Sequence, residues 1–276
     1  MREIESVGSI RHRNLIRIFG YFSNQQDLDI LILEYMPNGS LHDHLHSNKA
    51  RESLSWEARL RVAIQVGEGL LYMHNDCPSP IIHCDLKPQN ILFDANMEVR
   101  ISDFGLAKMI ADTASTSSFT ENVRGMLGYM APEVASSGHI SRKCDVYSFG
   151  ILLIELITGR KPFEEVHMQS EDGEDQSTTT LVRWVSVTLQ SGGKILDIVD
   201  SEIRHACAES KEVIDQAQKL LNVAFHCTEE NPNRRPEMQQ VVRRVQSIAG
   251  YNTSAVEYHG DPEGPEVDGR SQAFDQ

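Results

Sequence analysis

After Ser141 the chain reads almost wholly as helix, and that limits the kind of body it can build. Apolar residues recur at helical spacing over residues 145–158, 180–191, 212–226 and 236–249. An earlier amphipathic helix is predicted over residues 56–74, with Leu60, Val62, Ala63, Val66, Leu70 and Met73 at helical spacing. Ahead of it, residues 15–22 and 28–36 are rich in Leu, Ile, Phe and Tyr. The polar turn 23–27 between them predicts a β-hairpin. Pro37-Asn38-Gly39-Ser40 breaks the second strand, and Ser40 is placed to cap a short helix over residues 41–46. Residues 1–8 read as the end of a helix through Ile4 and Val7. Short apolar runs at 81–82, 91–93 and 99–101 are each bounded by polar turns. The expectation is an α+β chain with a small mixed lobe on a large, mainly helical one.

Composition narrows the class. The chain has 276 residues, 40% hydrophobic and 24% charged, as a globular protein does. Its net charge of −14 argues against a nucleic-acid partner, which would need a basic face. Much of the acid is local, at Glu164, Glu165, Glu171, Asp172, Glu174 and Asp175 and again from Glu257 to Asp275. Such runs mark solvated loops and tails, so residues 164–179 read as a surface insertion and 251–276 as a disordered tail. No apolar run reaches the roughly 18–20 residues that span a bilayer. The best candidate, 151–156, is short and interrupted by Glu155. The charged residues Arg2, Glu3 and Glu5 leave no room for the apolar segment of a secretory signal. Cys77, Cys84, Cys144, Cys207 and Cys227 are odd in number and lack metal spacing, which reads as reduced thiols in a cytosolic setting.

The chemistry is concentrated in the middle of the chain. His83-Cys84-Asp85-Leu86-Lys87-Pro88-Gln89-Asn90 is followed by Asp103-Phe104-Gly105 and then by Ala131-Pro132-Glu133. Asp145-Val146-Tyr147-Ser148-Phe149-Gly150 and Arg235-Pro236 come later. Any one of these is weak; their order and spacing together resemble the protein kinase family. The resemblance covers residues 1–249 and implies a bilobal fold, with residues 1–36 as a remnant of the small lobe and 37–250 as the large lobe.

That resemblance assigns roles by position. Asp85 would accept or orient the proton of a substrate hydroxyl, and Lys87 would balance charge on the transferred phosphoryl. Asn90 and Asp103 would hold Mg²⁺ with oxygen ligands. Glu3 matches the glutamate that pairs with the ATP-binding lysine, with Glu5 as the bystander. Glu34-Tyr35-Met36 would be the hinge, with backbone groups at Glu34 and Met36 meeting the adenine of ATP, and Leu33 the gatekeeper. Val7, Ile18, His83 and Phe104 would stack as a spine hung from Asp145, and Glu133 would pair with Arg235. The implied partners are ATP, a protein substrate and signalling proteins.

The closer likeness is to plant receptor-like kinases and interleukin-receptor-associated-type kinases. It rests on His12-Arg13-Asn14-Leu15, on 34–41, on Gly128-Tyr129-Met130-Ala131-Pro132-Glu133 and on 145–150. Lys87 implies serine/threonine specificity, and the family implies the cytoplasmic face of a plasma membrane.

Three departures qualify the likeness. No glycine-rich loop or V-A-I-K lysine stands before Glu3. Cys84 replaces the arginine that binds a loop phosphate, as in non-RD kinases, many of which act in innate immune signalling. Phosphates on Thr113, Ser115, Thr116, Ser117, Ser118 or Thr120 would therefore not be read by residue 84. Met126 stands where the family has a threonine that bridges the catalytic aspartate and lysine. Two readings follow: a serine/threonine kinase domain in which this stretch alone is a poor catalyst, or a catalytically inactive binding module.

Overall fold

The computed structural model describes residues 11–24, 28–47, 54–105, 107–109, 128–164 and 179–251. Glu3, Glu5, Val7, Met126, the Ser/Thr-rich segment 113–120 and the expected tail beyond residue 251 lie outside the described residues.

Strands β1 (Ile18–Asn24) and β2 (Leu28–Leu33) form the expected antiparallel hairpin. It begins later than the apolar run suggests. Leu15 and Ile16 are buried and run parallel to the chain at Ile101: Ile101 N–H donates to Asn14 O and Ile16 N–H to Ile101 O, both at 2.8 Å. These two residues thus dock the hairpin onto the body instead of extending it. Within the hairpin, Ile30 and Ile32 point to one face and Leu31 and Leu33 to the other, and all four are exposed.

Helix α1 (Leu41–His46) starts where Ser40 predicts, closed by a capping box with Asp43. Gly39 before it has φ of 71°, a conformation that favours glycine. Helix α2 (Trp56–Leu71) is capped by Ser55 and ends earlier than the periodicity predicts. Its continuation, Tyr72–Asp76, widens into a π turn, closed by Cys77 N–H on Tyr72 O at 3.2 Å. Strand β3 (Ile81–Ile82) follows, then the hairpin of β4 (Ile91–Phe93) and β5 (Val99–Ile101), with Ile91 opposite Ile101 and Phe93 opposite Val99. Strand β6 (Lys108–Met109) pairs with β3.

The helical body comes next: α3 (Pro132–Ser137) and α4 (Arg142–Thr158). The latter begins one turn before the expected 145 because Ser141 supplies the cap. Strands β7 (Phe163–Glu164) and β8 (Thr179–Thr180) pair with each other, and residues 165–178, nearly all of the expected surface insertion, lie outside the described residues. Then come α5 (Leu181–Gln190), α6 (Ile195–Ile198), α7 (Ser201–Glu209), α8 (Lys211–Cys227) and α9 (Met238–Ile248). The expected helix 236–249 starts at Met238 because Glu237 acts as its cap.

Helix α4 is the axis of the core. It is apolar on nearly every side, and a helix of that kind must be surrounded. Gly150 lets α8 approach: a Cβ there would lie 2.7 Å from the Cβ of Cys227. Helices α2 and α9 close the other sides through Phe149, Val242 and Met238 against Gly67. The fold is α+β, helix-rich with small sheets.

Candidate active site

The loop after β3 is suspended from α4. Asp145, fully buried in the first turn, accepts three hydrogen bonds. Its Oδ2 takes His83 N–H at 2.8 Å and pairs with His74 Nε2 at 2.8 Å; its Oδ1 takes Cys84 N–H at 2.9 Å. The π turn after α2 is what carries His74 into this contact. Burial alone would raise the Asp145 carboxyl. The His74 hydrogen bond, the attraction of His74 and the His83 backbone N–H outweigh it and hold the carboxyl below its ordinary value. His83 then orders its neighbours. Its Nδ1 accepts Asp85 N–H at 3.2 Å, so Nε2 carries the proton and donates to Ser102 O at 3.0 Å.

Asp85, Lys87 and Asn90 come together on this loop. Lys87 Nζ lies 2.6 Å from Asp85 Oδ2, and Asn90 Nδ2 donates to the same oxygen at 3.0 Å and to Asp85 O at 2.8 Å. The 3-10 turn Pro88–Asn90 brings Asn90 back toward Asp85, with Asn90 N–H on Lys87 O. Asp85 Oδ1 is left as an acceptor, and so is the Asn90 amide oxygen.

Asp103 is joined to this group through its neighbour. Ser102 donates to Asn90 O from both its N–H, at 2.8 Å, and its hydroxyl, at 3.0 Å. The β4–β5 hairpin, with Ile91 opposite Ile101, thus brings Asn90 and Asp103 to the same open end, one on each strand's side. Asp103 is exposed and has φ of 65°, as does Cys84. Left-handed backbone at non-glycine residues costs energy and persists where surrounding bonds enforce it. Phe104 packs against His83 with ring centroids 5.5 Å apart.

Glu34 and Met36 stand beside the loop, not in it. The segment that follows them is tied to β4: Asn38 N–H donates to Phe93 O at 3.3 Å and Phe93 N–H to Gly39 O at 2.9 Å. Glu34 N–H donates to Arg17 O, and its carboxylate lies 3.8 Å from Arg100 Nε. Met36 is buried. Ile18 is half-buried in β1.

The expected pair of Glu133 and Arg235 forms as a two-pronged bridge at 2.6 and 2.8 Å. Arg235 also donates to Glu229 O, Glu230 O and Lys143 O and lies over the Tyr147 ring. One buried carboxylate escaped the sequence reading. Glu155, in the last turn of α4, pairs with His46 Nε2 at 2.6 Å and accepts from Tyr129 Oη at 2.6 Å. Tyr129 is held from behind as well, by Ser148 Oγ on its carbonyl at 2.7 Å. Burial raises the Glu155 carboxyl, and the His46 and Tyr129 hydrogen bonds with the charges of His46 and Lys161 offset only part of that. The available signal was a lone glutamate inside an otherwise apolar helix, since such a group needs partners.

A loop with clustered Asp, Lys and Asn, joined by a short hairpin to a strained Asp before Phe-Gly, is the arrangement that the sequence motifs call for. The family model described as "Protein kinase domain" matches residues 1–245. The chain belongs to the protein kinase domain family. Among curated relatives, a "Receptor-like protein kinase" of Ipomoea nil is 40% identical over 256 residues, 92% of this chain and 22% of that protein. The LRR receptor-like serine/threonine-protein kinase GSO2 of Arabidopsis thaliana is 37% identical over 265 residues, 93% of this chain and 20% of that protein. The Arabidopsis protein named receptor protein-tyrosine kinase CEPR1 is 41% identical over 241 residues, 87% of this chain and 23% of that protein. The kinase domain therefore spans about a fifth of the length of the relatives it matches. Among its described residues no helix is long and apolar enough to cross a membrane.

Proposed function

We propose that this kinase domain moves the γ-phosphoryl group of ATP to serine or threonine hydroxyls of protein substrates, within receptor-like kinase signalling at the cytoplasmic face of a membrane. The observation that carries this reading is the bonded set Asp85, Lys87 and Asn90. Asp85 Oδ1 receives the hydroxyl proton as the nucleophile forms. Lys87, held against the other oxygen, keeps positive charge beside the reacting centre.

The residues present suit Mg²⁺. With its nitrogen engaged by Asp85, Asn90 offers an amide oxygen, and Asp103 offers an exposed carboxylate. Both are hard oxygen donors, and one or two such side chains suffice where substrate phosphates and water complete the shell. Mg²⁺ supplies neutralisation of phosphate charge when bound. Asn90 and Asp103 would hold it, Glu34 and Met36 would offer hinge backbone to adenine, and Glu3 would pair with the ATP-binding lysine. The reading divides the chain into a small-lobe part at 1–36, a large lobe at 37–250 and a tail at 251–276. The 276 residues contain no glycine-rich loop and no V-A-I-K lysine. Positioning of the phosphates is most of this catalysis, so this stretch by itself binds Mg-ATP weakly.

The test is phosphoryl transfer by the 276 residues fused behind the glycine-rich loop and lysine of a receptor-like kinase relative. Labelled phosphate should appear on serine and threonine and vanish in Asp85→Asn. Transfer that survives Asp85→Asn, or label on tyrosine alone, overturns the reading. Micromolar binding of Mg-ATP to residues 1–276 in titration calorimetry would refute the weak-binding part.

A further inference from the structure

Cys84 has no task in the proposed transfer, yet its surroundings are specific. It is half-buried on the loop that carries Asp85, and its sulfur lies 3.7 Å from Ile82 O. Cys144 faces it from the first turn of α4, 4% exposed. Cys84 packs against the small cluster that Cys144 forms with Ile82 and Ala131, and both cysteines border a void of about 10 Å³ together with Met130, Val134 and Ile140. The backbone is in register too, because Cys84 N–H donates to Asp145, the residue after Cys144. The Cys84 hydrogen bond, then burial and the charge of Asp145, push the Cys144 thiol well up, so it stays protonated. Cys77 and Cys227 are also kept as thiols by burial, pushed up to about 11 and about 12.

We propose that Cys84 and Cys144 are a redox pair, which hydrogen peroxide closes into an intramolecular disulfide that displaces the Asp85 loop. Cys84, the more exposed partner, attacks peroxide as the thiolate. An S–O bond forms, the O–O bond breaks, hydroxide leaves and Cys84 becomes a sulfenic acid. The Cys144 sulfur then attacks the Cys84 sulfur. The S–S bond forms, the S–O bond breaks, and the Cys144 proton leaves with that oxygen as water. In sum both thiols are oxidised, peroxide is reduced to water, and a dithiol reductant reverses the change.

An S–S bond is about 2.05 Å long, far shorter than the contact distance of two unbonded sulfurs packed side by side, so one side has to move. Helix α4 is enclosed by the core, so the loop yields. The effect on catalysis rests on the reading of Asp85 given above, where a displacement near 1 Å costs about 10²-fold in rate.

The experiment treats the 276-residue chain with graded peroxide, alkylates it, digests it without reductant and maps the peptides by mass. A linked Cys84–Cys144 peptide that disappears with dithiothreitol is expected, with Cys77, Cys207 and Cys227 still alkylated once the chain is unfolded. Cys144→Ser should leave Cys84 as a sulfenic acid that dimedone traps. Should that variant fail to fold by circular dichroism, Cys84→Ser serves, in which Cys144 should remain a thiol. Faster hydrogen exchange at the amides of Cys84 and Asp85 in the oxidised chain is expected from loop displacement. Cys84 taken to sulfinic acid beside a free Cys144 thiol would overturn the pair, as would a disulfide formed only between two copies. Unchanged exchange in the linked chain would overturn the displacement. In the fused domain of the transfer test, mild oxidation should lower transfer about 10²-fold, reversibly and only with both cysteines present. A linked chain that transfers nothing even when reduced removes the kinase reading and leaves the redox pair standing.

Discussion

Helix α4 buries a carboxylate at each end, Asp145 in its first turn and Glu155 in its last, and both side chains are essentially without solvent. Each faces a histidine, His74 at one end and His46 at the other. They are nonetheless driven in opposite directions. Asp145 collects an imidazole and two backbone N–H groups, and its carboxyl is held below the ordinary value. Glu155 collects an imidazole and a phenol, and burial wins. The difference teaches that a histidine partner does not by itself hold a buried carboxylate in its charged form. The further donors do, and at Asp145 they are fixed by the backbone of the loop after β3. One end of the helix carries a carboxyl held below its ordinary pKa, on which the loop hangs; the other carries one raised above it, which bridges α1 to the segment around Tyr129.

The largest effect that tests this contrast is Asp145→Ala. It orphans the His83 and Cys84 N–H groups together with His74, and losing one partner of a buried charged network costs about 3–5 kcal/mol. Urea denaturation should show that loss. Asp145→Asn keeps one acceptor but turns an amide donor toward N–H groups, at a cost of about 1–3 kcal/mol. Glu155→Gln should lie within about 1 kcal/mol of the parent in either direction, because it removes a charge whose burial was poorly compensated. Equal losses in Asp145→Asn and Glu155→Gln would break the comparison.

The pH dependence sharpens it, because the two groups contribute with opposite sign. The native pKa of Asp145 lies below that of the unfolded chain, so the unfolded state binds the proton more readily. Its contribution is present above the ordinary aspartate range and is lost as pH falls through the native value. For Glu155 the native pKa is raised, so the folded state binds the proton more readily. Its contribution is full below the ordinary glutamate value and is lost as pH rises through the native one. Denaturation midpoints across the acid range should therefore flatten at their acid end in Asp145→Asn. In Glu155→Gln they should rise more steeply than in the parent through the window just above ordinary glutamate. If the two variants changed slope in the same direction, the picture of an Asp145 carboxyl held below its ordinary value and a Glu155 carboxyl raised above it would be wrong.

The two ends also differ in how far they could be read from the sequence. The Asp145 end belongs to short motifs: 83–90, 103–105 and 145–150 are local strings whose spacing carries the loop, the hairpin and the helix start. Ser40, Pro37 and Gly39 were readable for the same reason, since caps and turns depend on neighbours. The Glu155 end depends on partners far away in the chain, His46 and Tyr129, which no local pattern joins to it. Periodicity could not reveal the π turn that delivers His74, because a wider turn leaves the apolar pattern of α2 intact. Nor could it show that Leu15 and Ile16 serve the β5 edge instead of the hairpin, since both uses require apolar residues. The helix boundaries at Arg142 and Met238 moved for a simpler reason: the capping residue, not the first apolar one, decides where a helix begins.

The smallest and most specific effect is expected from Tyr129→Phe. The phenol is one of two hydrogen-bond donors to Glu155, and removing a single buried hydrogen bond costs about 0.5–1.5 kcal/mol. The backbone of residue 129 should stay in place, because Ser148 Oγ still holds its carbonyl at 2.7 Å and does not involve the ring. The loss therefore reads the hydroxyl alone. With one donor gone, the charged form of Glu155 is less well supported and its pKa moves further up. The cost should accordingly be larger at neutral pH, where the parent Glu155 is more fully ionised, and smaller in acid, where it is protonated. In a Glu155→Gln background the same substitution should cost less and lose its pH dependence, since no carboxylate remains to be stabilised. A double-mutant cycle measured at two pH values reports that coupling directly. If Tyr129→Phe cost the same at both pH values and in both backgrounds, Tyr129 would be a packing residue, and the poise of Glu155 would have to be explained by His46 and Lys161 alone.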